Sequence, residues 1–184
     1  MPHQKYLKRV LIDSETLQAR IAELGTEIST EYAGKGDLLL ICILKGGVVF
    51  LCDLMRHITI PHAIEFMAVS SYGVGGRKSS GHVRILMDLS VDIAGKHVLL
   101  IEDIIDSGHT LEYVNRQLQA RNPASLNICT LLSKPSRREV EVPVKYLGFE
   151  IPNEFVFGYG LDLDEKFRNL PFVGIVNLNE YQKP

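Results

Sequence analysis

One apolar run constrains this chain more than any other feature: Val98-Leu-Leu-Ile101 leads without a break into two adjacent carboxylates, Glu102 and Asp103. A run this compact fits a strand buried on both faces, as in a parallel sheet. A third carboxylate, Asp106, opens the turn Ser107-Gly-His-Thr110, and helical spacing follows. Ligands of open α/β sheets gather beyond the carboxyl ends of their strands. The turn from Asp106 to Thr110 would offer free backbone N–H groups and two hydroxyls at a helix N-terminus, a setting for a phosphate monoester. Carboxylates do not hold phosphate, so Glu102 and Asp103 suit sugar hydroxyls or a Mg²⁺ ion. A sugar phosphate is the ligand that fits these residues together.

The rest of the chain is compatible with one enzyme-sized domain spanning residues 1–184. With 46% apolar and 23% charged residues it falls among ordinary soluble globular proteins. A net charge of −2 gives no electrostatic footprint for nucleic acid. The longest apolar stretch, Leu38 to Phe50, is interrupted by Lys45-Gly46-Gly47 and is too short to span a bilayer. The opening Met1-Pro-His-Gln-Lys-Tyr-Leu-Lys-Arg-Val10 has no hydrophobic signal core. Cys42, Cys52 and Cys129 are odd in number and sit inside apolar runs, so they read as reduced core residues of a cytoplasmic protein. No internal repeat, low-complexity tract or linker interrupts the chain.

Helix and strand patterns alternate. Asp13-Ser14 can cap a helix carrying Leu17, Ile21, Leu24 and Ile28 on one face and running toward Gly34. Leu38 to Leu44 reads as a buried strand, Val48 to His57 as a helix, and Ile64 to Val69 with Val83 to Met87 as a strand pair. His97 to Glu102 is the central strand, and Thr110 to Arg121 the helix after it. Ser125 to Leu132, Lys145 to Phe149, Phe155 to Tyr159 and Phe172 to Val176 are further strands. The expected fold is α/β, with a mainly parallel central sheet flanked by helices.

Three other segments have two readings each. Ser70 to Gly81 holds four glycines and four serines, a composition for a hairpin tip or a binding loop. Leu44-Lys-Gly-Gly47 ends a strand; its glycines allow backbone N–H groups close to an anion, or simply make the turn into the next helix. Lys134, before Pro135-Ser-Arg-Arg138, is by default part of a solvated basic loop, and Phe155-Val156 by default core.

Val98-Leu-Leu-Ile-Glu-Asp-Ile-Ile-Asp-Ser-Gly-His-Thr110 resembles the phosphoribosyl-pyrophosphate (PRPP) signature of type I phosphoribosyltransferases. From about Val10 to Val176, four motifs follow in the order of the hypoxanthine-guanine subfamily. The resemblance implies that Glu102 and Asp103 serve the ribose hydroxyls and metal, and that Asp106, Ser107, Gly108, His109 and Thr110 hold the 5′-phosphate. Leu44, Lys45, Gly46 and Gly47 match the pyrophosphate loop, whose Leu–Lys peptide is cis, and Arg168 matches a pyrophosphate-contacting arginine. Ser71 and Tyr72 would begin a lid that closes to exclude water. Lys134 would donate to a purine 6-oxo group and Phe155 would stack on the ring. The Val156 backbone would read the base edge, and Asp162 would lie near the exocyclic position and the pyrophosphate-side Mg²⁺. The irregular last third would fold back with the N-terminus as a small hood. His109 departs from the lysine or asparagine common in relatives, a small change where binding runs through backbone groups.

The reaction expected from the resemblance is transfer of 5-phosphoribosyl from PRPP to hypoxanthine or guanine, giving IMP or GMP and pyrophosphate. Mg²⁺ would be the cofactor, Asp106 would take the purine proton, and the chain would form a dimer or tetramer. Neither nucleic acid nor membrane is an expected partner. The rivals are a related transferase using adenine or xanthine, and a PRPP-sensing regulator without catalysis. Lys134 argues against adenine, and Lys45, Lys134, Phe155 and Asp162 together argue against the regulator.

Overall fold

The computed structural model describes residues 2–72 and 82–181. After a 3-10 turn at Pro2–Tyr6, the chain runs β1 (Leu7–Ile12), α1 (Ser14–Tyr32), β2 (Leu38–Leu44), α2 (Val48–His57), β3 (His62–Tyr72) and β4 (His82–Met87). It continues through β5 (His97–Ile105), α3 (His109–Gln119), β6 (Ser125–Ser133), β7 (Tyr146–Glu150), β8 (Val156–Phe157) and β9 (Val173–Val176). Six strands form one sheet in the order β4-β3-β2-β5-β6-β7, all parallel except the edge strand β4.

Strand alternation divides the core between the two faces. Leu38, Leu40 and Cys42 of β2, with Leu99 and Ile101 of β5, pack under α1 and α2. Leu39, Ile41 and Ile43, with Val98 and Leu100, pack against Leu111, Val114 and Leu118 of α3. Both faces are covered, which is why β2 and residues 98–101 of β5 are apolar at every position. The N-cap of α1 forms as expected: Asp13 accepts from the Thr16 N–H at 2.8 Å. Leu17, Ile21, Leu24 and Ile28 are fully buried, the stripe expected at helical spacing.

The terminal segments build the hood. β1, β9 and β8 make a separate antiparallel sheet, with Leu7 opposite Val176 and Val156 opposite Ile175. Val156, Val173 and Ile175 join the core beneath α1 and α2, so the hood is seated on the main body.

Among the boundaries that differ from expectation, three lie next to the candidate site residues. The central strand continues past Glu102 to Ile105, because parallel pairing with β6 persists as far as Ile105 opposite Ser133. Asp103 therefore sits within the strand, not after it. The helix expected over residues 110–121 is α3, from His109 to Gln119. Ser71 and Tyr72, expected to begin the lid, instead end β3, their backbones opposite Val83 and His82. The glycine-rich remainder of that segment lies outside the described residues.

Candidate active site

Parallel pairing brings the carboxyl ends of β2, β5, β6 and β7 to one edge of the sheet, and every candidate residue of the main body lies there. β2 ends at Leu44, and the Leu44–Lys45 peptide is cis, as the resemblance implies. The loop then passes directly over β5. A side chain on Gly46 would collide with the Asp103 Oδ2, so only glycine permits this approach. Gly160 of the hood, at φ +94°, packs as closely against the Gly46 carbonyl.

Beneath the loop, Glu102 and Asp103 form a buried carboxyl pair. Burial, then the neighbouring Asp103 charge and a hydrogen bond to Asp103, push the Glu102 carboxyl well above the ordinary carboxylate range. Burial also raises Asp103, opposed by that hydrogen bond, by the Ile104 N–H at 2.7 Å and by the Arg168 charge. The Glu102 Oε2 is sealed from solvent without a hydrogen-bond partner. Such an orphaned acceptor suits a hard cation or a sugar hydroxyl. Among the described residues, however, no three His, Cys, Asp or Glu side chains are gathered closely enough to hold a metal. Asp162, which the resemblance places at a separate, pyrophosphate-side metal position, makes its own contacts. It pairs with the Arg168 Nη2 at 3.1 Å and accepts from the Glu165 N–H at 2.8 Å.

The anion turn is built as its sequence suggests. Gly108 caps α3 in the left-handed region at φ +94°, with no side-chain cap in the way of an incoming anion. A cavity of about 170 Å³ is lined by Glu102, Asp103, Asp106, Ser107, Gly108 and Thr110, with Ile104, Ile105 and Leu111. The two acids and the Ser107 to Thr110 turn thus share one concavity. The turn is braced from outside: the N–H groups of Glu139 and Val140 donate to the Ser107 carbonyl at 2.9 and 3.0 Å. His109 is drawn the same way, its Nε2 2.9 Å from a Glu139 carboxylate oxygen.

Lys134 follows β6 as Asp106 follows β5, on adjacent parallel strands whose last pair is Ile105 and Ser133. Its N–H donates to the Ile105 carbonyl at 3.0 Å. Contrary to the solvated default, Lys134 is buried, at 7% exposure. Burial lowers its ammonium below the usual lysine value, partly offset by Asp106. Its Nζ meets no protein acceptor among the described residues, leaving the donor for a ligand. Phe155 likewise escapes its default: it is 45% exposed, whereas Val156 is buried in β8.

Beside the cis loop, Lys45 and Arg168 are joined by a residue that the sequence reading passed over. Glu165 accepts from the Lys45 Nζ at 2.8 Å and the Arg168 Nη2 at 3.3 Å. Arg168 also donates from Nη1 to the Gly160 carbonyl at 2.9 Å. Arg137 was passed over too. Its Nε lies 3.2 Å from Asp106 Oδ1, a pairing no local spacing announces.

The family model for the phosphoribosyl transferase domain matches residues 11–164. This chain belongs to the phosphoribosyltransferase family. Among its relatives, the hypoxanthine-guanine phosphoribosyltransferase of Mycobacterium avium is 52% identical over 182 residues, covering 96% of this chain and 89% of that protein. The hypoxanthine phosphoribosyltransferase of Haemophilus influenzae is 52% identical over 179 residues, covering 96% and 99%. The crystal structure of a hypoxanthine phosphoribosyltransferase from Staphylococcus aureus superposes with a TM-score of 0.94 at 43% identity, covering 100% of this chain and 98% of that one. Within this phosphoribosyltransferase the matched region takes in the anion turn, the cis loop, Lys134, Phe155 and Asp162, while Arg168 and the last hood strand lie beyond it.

Proposed function

We propose that this chain transfers the 5-phosphoribosyl group of PRPP to the 6-oxopurines hypoxanthine and guanine, releasing IMP or GMP and pyrophosphate. The observation that carries the reading is Lys134. A buried ammonium with a free donor stands beside Asp106 on neighbouring strand ends. A 6-oxopurine needs such a donor at its carbonyl and such a carboxylate to accept a proton.

The reaction breaks the C1′–pyrophosphate oxygen bond and forms the C1′–N9 bond through an oxocarbenium-like state. Glu102 and Asp103 hold the ribose hydroxyls and orient C1′. The Ser107 to Thr110 turn anchors the 5′-phosphate, so remote binding energy serves alignment. As N9 attacks, the proton on N7 passes to Asp106. Lys45, the amides of Gly46 and Gly47, and Arg168 receive the negative charge of the leaving pyrophosphate. For Lys45 and Arg168 this means exchanging Glu165 for the substrate. Phe155 stacks on the purine and the Val156 backbone reads its edge.

Mg²⁺ fits the site. The orphaned Glu102 oxygen and Asp103 lie on the ribose side, and Asp162 on the pyrophosphate side. Bound with PRPP, the ion supplies neutralisation of the diphosphate, held chiefly by substrate oxygens and water. Ser71 and Tyr72 stand at the stem of the proposed lid. A homodimer or homotetramer is the assembly that the family resemblance favours. Three unpaired cysteines favour the cytoplasm, and no helix of the described residues is long and apolar enough to cross a membrane.

Steady-state kinetics with hypoxanthine, guanine, xanthine and adenine, each with PRPP and with or without Mg²⁺, test the reading. Nucleotide formation from the 6-oxopurines and not from adenine is the expected result. Efficient use of adenine, or no conversion of any base, overturns it.

A further inference from the structure

Beyond the matched family region, Tyr181 makes two contacts that reach both halves of the site. Its ring lies 6.0 Å from that of Phe155, tilted at 44°. Its hydroxyl donates to the Asp164 Oδ1 at 2.6 Å, a bond that pushes the phenol up to about 12 and keeps it a donor through the physiological range. Asp164 and Glu165 are consecutive left-handed residues, at φ +52° and +61°, in the turn that presents Glu165 to Lys45 and Arg168. L-residues hold that conformation only when surroundings enforce it.

The segment bearing Tyr181 is itself tied down. The Asn177 N–H donates to the Tyr6 carbonyl at 2.7 Å, and the Tyr181 N–H to the Asn177 carbonyl at 3.0 Å. Tyr6 closes edge-on against the Tyr181 ring at 6.4 Å. A cavity of about 520 Å³ opens between Phe155, Asp162, Asp164, Glu165, Leu178 and Tyr181. The stacking residue and the pyrophosphate-side acids thus line one space, with Tyr181 as the wall common to both.

We infer that Tyr181 is a positioning residue with two separable duties: its ring sets Phe155 for the purine, and its hydroxyl fixes the Asp162–Glu165 turn for pyrophosphate. The inference rests on the transferase reading above. Phe155 is otherwise half exposed, and an unsupported aromatic spends part of its time in rotamers that cannot stack. Losing an aromatic pair costs about 0.5–1.5 kcal/mol, or roughly two- to tenfold in binding.

Tyr181→Phe and Tyr181→Leu separate the duties in steady-state kinetics, with folding checked by thermal melting. The phenylalanine variant keeps the ring, so the KM for hypoxanthine stays near wild type while the KM for PRPP rises about three- to tenfold. The leucine variant raises both. Turnover at saturation stays within about twofold in each, since neither group touches a reacting atom. Unchanged constants in both variants overturn the inference while leaving the transferase reading intact. An equal rise in both KM values for both variants also overturns it, as the mark of general loosening. If the wild type makes no nucleotide from hypoxanthine, the transferase reading falls first and the role of Tyr181 falls with it.

Discussion

In the proposed mechanism, Asp106 and Lys134 divide the purine chemistry between two neighbouring residues with opposite surroundings. Asp106 is partly exposed and paired with Arg137. Asp106→Asn should keep the fold and PRPP binding but lower turnover by roughly two to four orders of magnitude, the range for losing a general acid–base group. Rapid-quench turnover measurements on a variant with wild-type melting check this, and unchanged turnover would remove Asp106 from the proton's route. Lys134 is the costlier residue, because its ammonium is buried. Its folded pKa lies below the ordinary 10.5, so between those two values the unfolded chain holds more protons and stability rises with pH. Lys134→Met should therefore melt higher than wild type near neutrality, with an advantage that shrinks as pH climbs toward 10.5. The same variant should lose most hypoxanthine use and narrow its lead over adenine, since a missing donor can account for roughly four orders of magnitude in discrimination. A melting difference that stays flat with pH, or an unchanged base preference, would count against this account of Lys134.

At the scale of elements, the legible parts were those with a local cause. The α1 stripe, the apolar runs of β2, β5 and β6, and the Asp106 to Thr110 turn each follow from residues adjacent in sequence. What pairs over distance was not legible. β1 joins β9 across most of the chain, and a short strand of mixed polarity gives no alternation to read. Polar residues within β5 suggested an end at Glu102, although pairing with β6 carried the strand three residues further. The site divides the same way. Motif positions were readable, whereas Glu165 between Lys45 and Arg168, Arg137 on Asp106, and Gly46 against Asp103 depend on tertiary contact. Gly46 gives the sharpest test of how elements are registered. A methyl group there must displace either the Asp103 carboxylate or the loop. Since a misplacement of about 1 Å can cost a hundredfold, Gly46→Ala should lower kcat/KM for PRPP by about that factor. Affinity for the purine nucleotide should suffer less, which calorimetric titration of both ligands would reveal.

Across the whole molecule, the sheet and hood concentrate negative charge where an even more negative substrate must bind. Glu102, Asp103, Asp106, Asp162 and Glu165 all line or border the two cavities, and the cations facing them are Lys45, Arg168, Lys134 and Arg137. Two of these cations, Lys45 and Arg168, are already paired with the two acids Glu165 and Asp162, so protein charge alone would leave the diphosphate of PRPP poorly compensated. Burial disfavours the ionised form of the Glu102–Asp103 pair, so a carboxylate there also calls for a compensating positive charge. A divalent cation arriving with PRPP would relieve both problems, since it adds charge between substrate and carboxylates and takes oxygen ligands from each. Free protein should consequently bind Mg²⁺ weakly, PRPP should bind weakly without it, and the two together should bind far more tightly than either. Titration of PRPP by calorimetry at fixed Mg²⁺ levels measures that coupling, and nucleotide formation in excess chelator should fall to background. If the Glu102 carboxylate is the acceptor that the ion or ribose satisfies, Glu102→Gln should weaken the coupling without abolishing the fold. Equal PRPP affinity with and without the cation, accompanied by robust turnover in chelator, would leave the carboxyl pair serving the ribose alone.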